Sequence, residues 1–156
     1  SAELYEYQGL AQIQGGDFAL AVQSLTQARR LNPGERLDFY LLFAQGRLAE
    51  QSAQDEEAIA LFEQAARIRG KSSEVHLQLG NLYFNQGQYA PAYDHFQKVI
   101  DLKPDQASAY FFAGRSAESL GKPDAAMEYF RRYLALEADA QKIKWIQDHV
   151  RELSQR

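Results

Sequence analysis

The stretch His76-Leu77-Gln78-Leu79-Gly80-Asn81-Leu82-Tyr83, followed by Ala92, Phe96 and Pro104, carries landmarks that return along the whole chain. Glycine recurs at Gly9, Gly46, Gly80 and Gly114, at spacings of 37, 34 and 34 residues. The same intervals link Ala21, Ala58, Ala92 and Ala126, and then Leu25, Phe62, Phe96 and Phe130. Ala28, Ala65, Val99 and Tyr133 form a fourth column, and Leu31, Ile68, Leu102 and Leu136 a fifth. Several columns on one set of intervals mark a repeat architecture, in which each unit buries its apolar face on its neighbours.

Within each unit the apolar residues follow helical spacing, and a break separates two amphipathic halves. Gly15-Gly16, Gly87 and Gly121 sit at that break, where a left-handed residue ends a helix. The second helices are expected to start at Asp17, near Asp55, and with Pro91 and Pro123 in their first turns. Unit two has Ser52-Ala53-Gln54-Asp55 instead of glycine, which predicts a turn built differently. No alternating β-branched run appears, so no strand is expected.

The pattern W-x2-L-G-x2-Y, A-x3-F, P is met best by His76 through Tyr83, Ala92 through Phe96, and Pro104, and the chain thereby resembles the tetratricopeptide repeat family. Tyr5 through Gln12 and Tyr110 through Ala117 repeat the motif, and Leu42 through Ala49 gives its weakest copy. The resemblance implies an all-α fold: a right-handed superhelical solenoid of antiparallel helix pairs, about nine helices in a single domain over 1–156. Repeats fall at about 2–35, 39–72, 73–106 and 107–140, with a capping helix at about 139–155. Gly at the eighth position and Ala at the twentieth are expected to let paired helices touch backbone to backbone, with the Phe column filling the layer between units.

Two departures from the period are informative. Arg36-Leu37-Asp38 is inserted before unit two; three residues are nearly one helical turn. This predicts a longer first helix beginning at or just after Pro33, with a longer loop as the alternative. Beyond Asp139, Ile143, Ile146, Val150 and Leu153 make one apolar stripe, opposite Lys144, Asp148, Arg151 and Glu152. A solenoid end needs such a one-sided helix as a cap. Trp145 lies beside the stripe, placed either to seal the last unit or to enter the groove.

Composition narrows the function. The 156 residues are 46% hydrophobic with a net charge of -4, which argues against both disorder and nucleic-acid binding. With no cysteine, disulfides, thiolate catalysis and thiolate metal sites are excluded. No apolar run is long enough to cross a bilayer, so a soluble chain without membrane insertion is expected, cytoplasmic or periplasmic. His76, His95 and His149 show no H-x3-H or H-E-x2-H spacing and are read as lying in different units, His76 in the core. No nucleophile elbow, phosphate loop, dinucleotide loop or calcium loop is present. No enzyme, cofactor or metal is therefore expected.

Surface recognition remains. The resemblance implies that positions 2, 5, 6, 9, 12 and 13 of each first helix look into a concave groove. Tyr7, Tyr40, Phe43, Phe84, Phe111 and Phe112 fall in that set, interleaved with Arg47, Asn81, Asn85 and Arg115. Phe43, Leu77, Phe84 and Phe111 have a competing role, packing between neighbouring first helices. Asn side chains can bond both N–H and C=O of an extended peptide, and arginine meets carboxylates. The Lys and Asn set with which chaperone-binding relatives hold a C-terminal carboxylate is missing in every register, which argues against that partner.

The expected function is a non-catalytic scaffold that binds a peptide segment of a partner protein. The alternative is a self-assembling module, a homo-oligomer joined through Leu4, Tyr5 and Leu10, or a fragment of a larger envelope, secretion or signalling protein. Its glutamine-rich texture suggests a bacterial one.

Overall fold

The computed structural model describes residues 1–156 as nine α-helices and no strand. They are α1 (Ala2–Gly15), α2 (Phe18–Leu31), α3 (Glu35–Gln51), α4 (Asp55–Ile68), α5 (Ser73–Asn85), α6 (Tyr89–Leu102), α7 (Ala107–Ser119), α8 (Pro123–Leu136) and α9 (Ala140–Ser154). The helices fall into two compact units, Ser1–Val75 and His76–Arg156, divided within α5.

One packing rule builds each helix pair. Ala21, Ala58, Ala92 and Ala126 are fully buried, as are Leu25, Phe62, Phe96 and Phe130. The glycine column faces the latter set. A Cβ added at Gly46, Gly80 or Gly114 would stand 2.8, 2.7 or 2.6 Å from the ring of Phe62, Phe96 or Phe130, and one at Gly9 would stand 2.6 Å from Leu25. The expected backbone-to-backbone contact of Gly with Ala is thus revised: the missing Cβ is the seat of a side chain from the paired helix. Nor is the Phe column confined to the layer between repeats. Phe96 lies on its own pair's Gly80 and also stacks on Phe112 of the next repeat at 5.5 Å.

The turns within pairs are also alike. Asp17, Gln54, Gln88 and Lys122 each donate a backbone N–H to the carbonyl five residues earlier, at 2.8 to 2.9 Å. Gly16, Ala53, Gly87 and Gly121, the residues just before them, donate three residues back and have φ of 82°, 55°, 73° and 71°. The different turn expected for unit two does not occur: Ala53 takes the left-handed conformation that glycine takes elsewhere. Helix pairing imposes that geometry, and the alanine Cβ carries its strain. Ala53→Gly is therefore expected to stabilise the chain by about 0.5–1 kcal/mol, once glycine's greater unfolded-state freedom is deducted. The urea midpoint measures it.

The insertion lengthens α3 to 17 residues, against 14 in α1 and 13 in α5 and α7. Leu37 buries its side chain, Arg36 pairs with Glu6 at 2.9 Å, and Asp38 pairs with Arg29. The extra turn fastens α3 to the first helix pair. Leu4 on α1 is 54% exposed, although its column equivalents Leu41, Val75 and Ala109 are buried.

The third repeat holds a contact that linear spacing hid. His76 and His95 both belong to it, which corrects their assignment to different units. Their Nδ1 atoms are 3.1 Å apart, and the His95 ring stacks on Tyr83 at 5.7 Å. One imidazole donates and the other accepts.

The cap forms as the stripe predicts. Asp139 accepts from the backbone N–H groups of Gln141 and Lys142, at 2.9 and 3.2 Å, and starts α9. Ile146 and Leu153 are buried against the fourth repeat, with Val150 packed beside them. Lys144, Asp148, Arg151 and Glu152 face solvent. No helix is long and apolar enough to cross a membrane.

Candidate partner-binding site

Ser108, Phe111, Phe112 and Arg115 follow i, i+3, i+4 and i+7 along α7 and therefore share one face. The end of α8 and the first turns of α9 stand against that face and enclose a cavity of 590 Å³. Phe111, Phe112, Tyr133, Trp145 and Ile146 supply its apolar wall; Ser108, Arg115, Glu137, Gln141 and Lys142 supply its polar groups. That size suits one or two large side chains of a ligand.

The rings hold one another in place. Phe111 meets Phe112 at 5.2 Å, Tyr133 at 5.5 Å and Trp145 at 6.0 Å. Trp145 stacks on His149 at 5.0 Å and 10° between planes, yet remains 46% exposed. Trp145 thus packs on the fourth repeat through Phe111 and also lines the cavity. Mutual contact fixes the rings before any ligand arrives, which lowers the entropy cost of binding.

The polar groups are organised by charge. Both oxygens of Glu137 are engaged: Oε1 accepts from the backbone N–H of Ala138 and Asp139, at 2.9 and 3.0 Å, and Oε2 from the Tyr133 hydroxyl at 2.7 Å and from Lys142 Nζ at 3.4 Å. These bonds, the one from Tyr133 foremost, hold the carboxyl down at about 2. Burial, and then the bond to Glu137, pushes the Tyr133 hydroxyl up to about 12. Glu118 meets His149 Nε2 at 2.8 Å, and Arg115 Nε stands 3.8 Å from the same oxygen, too far for a hydrogen bond.

The other expected groove residues divide between the two units. In His76–Arg156, Phe84 packs edge-on against Phe112 at 5.2 Å and so joins the α7 cluster. Asn81 is half-buried, its Oδ1 without a hydrogen-bond partner, and Asn85 is exposed. In Ser1–Val75, Tyr7 is 74% exposed, whereas Phe43 is buried between Phe39 and Phe62. Tyr40 receives the Arg69 guanidinium on its ring at 5.0 Å, and Arg47 pairs with Glu50 at 3.0 Å beneath a contact with the Phe18 ring. Burial raises the Glu50 carboxyl, with Arg47 opposing that shift.

Sequence reasoning placed Phe111, Phe112 and Arg115 at this site and missed Tyr133, Glu137, Gln141 and Lys142. One signal was available: Tyr133 is the large member of a column otherwise made of Ala28, Ala65 and Val99.

Comparison with known proteins agrees with the helical-repeat fold. The tetratricopeptide repeat family model matches residues 8–73 and 77–142, most of the chain. The chain belongs to the tetratricopeptide repeat family. Anaphase-promoting complex subunit CDC16 of Saccharomyces cerevisiae is 29% identical over 105 residues, 65% of this chain and 12% of that protein. The chain spans between 12% and 28% of the length of the curated relatives it matches. Among solved structures, Pseudomonas aeruginosa pilF superposes with a TM-score of 0.78 at 17% identity, over 96% of this chain and 67% of that one. The first tetratricopeptide repeat domain of Spaghetti (RPAP3), bound to the HSP90 peptide SRMEEVD, gives 0.65 at 19% identity, over 76% of this chain and 91% of that one. Members of this tetratricopeptide repeat family commonly mediate protein–protein interaction and are generally non-catalytic scaffolds.

Proposed function

We propose that the chain is a non-catalytic scaffold that captures a peptide segment of a partner protein, with the cavity between α7 and α9 as its main anchor site. The observation that carries this reading is the set of pre-assembled rings around 590 Å³, of which Trp145 keeps almost half its surface open. Exposed aromatic surface of this kind is where interface energy concentrates. Phe84, Asn81 and Asn85 extend the anchor along the third repeat. The first compact unit carries its own polar and aromatic set, Tyr7, Tyr40 and Arg47, with Phe43 in that unit's core. The peptide bound by the RPAP3 domain shows what a relative's domain does and lends this reading support.

The test is selection of a random-peptide library displayed on phage against the folded chain. Binders are expected whose affinity falls about tenfold or more on Trp145→Ala, since losing a central aromatic anchor commonly costs 2 kcal/mol or more, roughly. Circular dichroism should show unchanged helix content. A library that yields no binder, or binders indifferent to Trp145→Ala, sinks the assignment.

A further inference from the structure

The chemistry left unsatisfied around the α7–α9 cavity selects among peptides, an inference that rests on the peptide-binding reading above. Glu137, the one carboxylate in the cavity wall, is already fully engaged. Each Glu137 oxygen accepts two hydrogen bonds, so its roughly four lone-pair positions are filled. Glu118 is bonded to His149 at 2.8 Å and flanked by Arg115. A ligand cation would find the cavity wall's one carboxylate already filled and would meet two positive groups.

The cations are in the opposite condition. Arg115 presents five N–H donors, and its ion partner stands 3.8 Å away and is held by another residue. Its side chain is 41% exposed, with the guanidinium carbon 5.8 Å from the centre of the Trp145 ring. Lys142 uses one of three donors on Glu137 and is 60% exposed. Beside both cations lies an apolar wall of Phe111, Trp145 and Ile146. A ligand completing this arrangement places a large apolar ring in the cavity and a carboxylate one residue away, within reach of the guanidinium.

We infer that the occupant is an internal acidic–aromatic segment of a partner protein, a Phe, Tyr or Trp side chain flanked by Asp or Glu. An acidic side chain is specified over a chain terminus. One guanidinium and one ammonium on an open rim suit a side-chain carboxylate, while a terminus calls for several converging donors around both its oxygens.

Trp145 is the sole tryptophan, so its emission reports occupancy directly. The probes, titrated against the full chain, are three blocked pentapeptides, acetyl-Ser-Asp-Phe-Asp-Ser-amide and its Asn and Lys counterparts, and a tripeptide, acetyl-Ser-Gly-Phe, with a free carboxylate. The Asp peptide is expected to bind at least about tenfold more tightly than the Lys peptide, because the first forms a charge-assisted hydrogen bond and the second is repelled. In Arg115→Gln the gap should shrink to about threefold or less, with the Asp peptide weakened more than the neutral Asn peptide. Lys peptide binding as tight as Asp overturns the acidic preference but leaves the peptide site standing. Tighter binding of the free-acid peptide, lost in Arg115→Gln, overturns the choice of an internal segment. If no peptide alters Trp145 emission, the cavity assignment itself falls.

Discussion

Replacing Phe96 with alanine is expected to destabilise the chain by about 3–5 kcal/mol, the usual loss for a large aromatic ring in a packed core. Phe96 has no exposed surface, and it touches the Gly80 face of its own pair and the ring of Phe112 in the next repeat. The cavity left behind therefore opens two interfaces at once. The more discriminating experiment adds Gly80→Ala. In the native background the new methyl would sit 2.7 Å from the Phe96 ring, which is walled in, so a loss of about 1–3 kcal/mol is expected. In the Phe96→Ala background the obstacle is gone. Alanine then gains helix propensity over glycine, about 1 kcal/mol, and fills part of the void. Gly80→Ala should thus change sign between the two backgrounds. Urea denaturation of the four proteins reads the coupling directly, and equal costs in both backgrounds would refute the seat-and-ring account of the glycine column.

The glycine column also marks where the sequence was legible and where it was not. Columns at one period identify helices, turns and buried positions, because each repeat meets nearly the same neighbours. Which atoms meet is not periodic information: Gly80 and Ala92 share one column logic, yet it is the Phe96 ring that occupies the glycine. Ala53 misled for a related reason. Local propensity asks for glycine at a left-handed position, but four helix pairs closing the same way force the backbone there regardless of side chain. His76 and His95 meet only because α5 and α6 fold back across the Gly87 turn, a pairing invisible to motif spacing. At the site, α7 lay within the period, so Phe111, Phe112 and Arg115 were readable. The opposing wall was not, because α9 departs from the period and its register depends on how Ile146 and Leu153 seat. Glu137 gave no signal at all: its four hydrogen bonds come from a turn, a tyrosine and a lysine that no repeat column links.

Ile146 therefore controls both the cap and the site. Ile146→Ala is expected to cost about 2–5 kcal/mol, since the side chain is buried to within 1% of its surface and its removal leaves a cavity. The loss should fall on one segment. In a repeat array each helix draws its stability from its immediate neighbours, and α9 is the terminal one. Its undocking exposes Ile146, Leu153 and one face of Phe130 but leaves the glycine–ring contacts of the helix pairs intact. Heating the variant should produce a red shift of Trp145 emission, as its stacking on His149 is lost, at a lower temperature than the loss of helical circular dichroism. Peptide affinity should fall with the first transition, because Trp145 and Ile146 leave the cavity together. Lys144→Ala, on the solvent face of the same helix, should move neither transition by more than about 0.5 kcal/mol. Trp145→Ala separates the two roles from the other side, weakening binding while the cap stays docked. Coincident emission and circular dichroism transitions in Ile146→Ala would mean that the cap and the repeats melt as one. The cavity would then be as rigid as the core behind it.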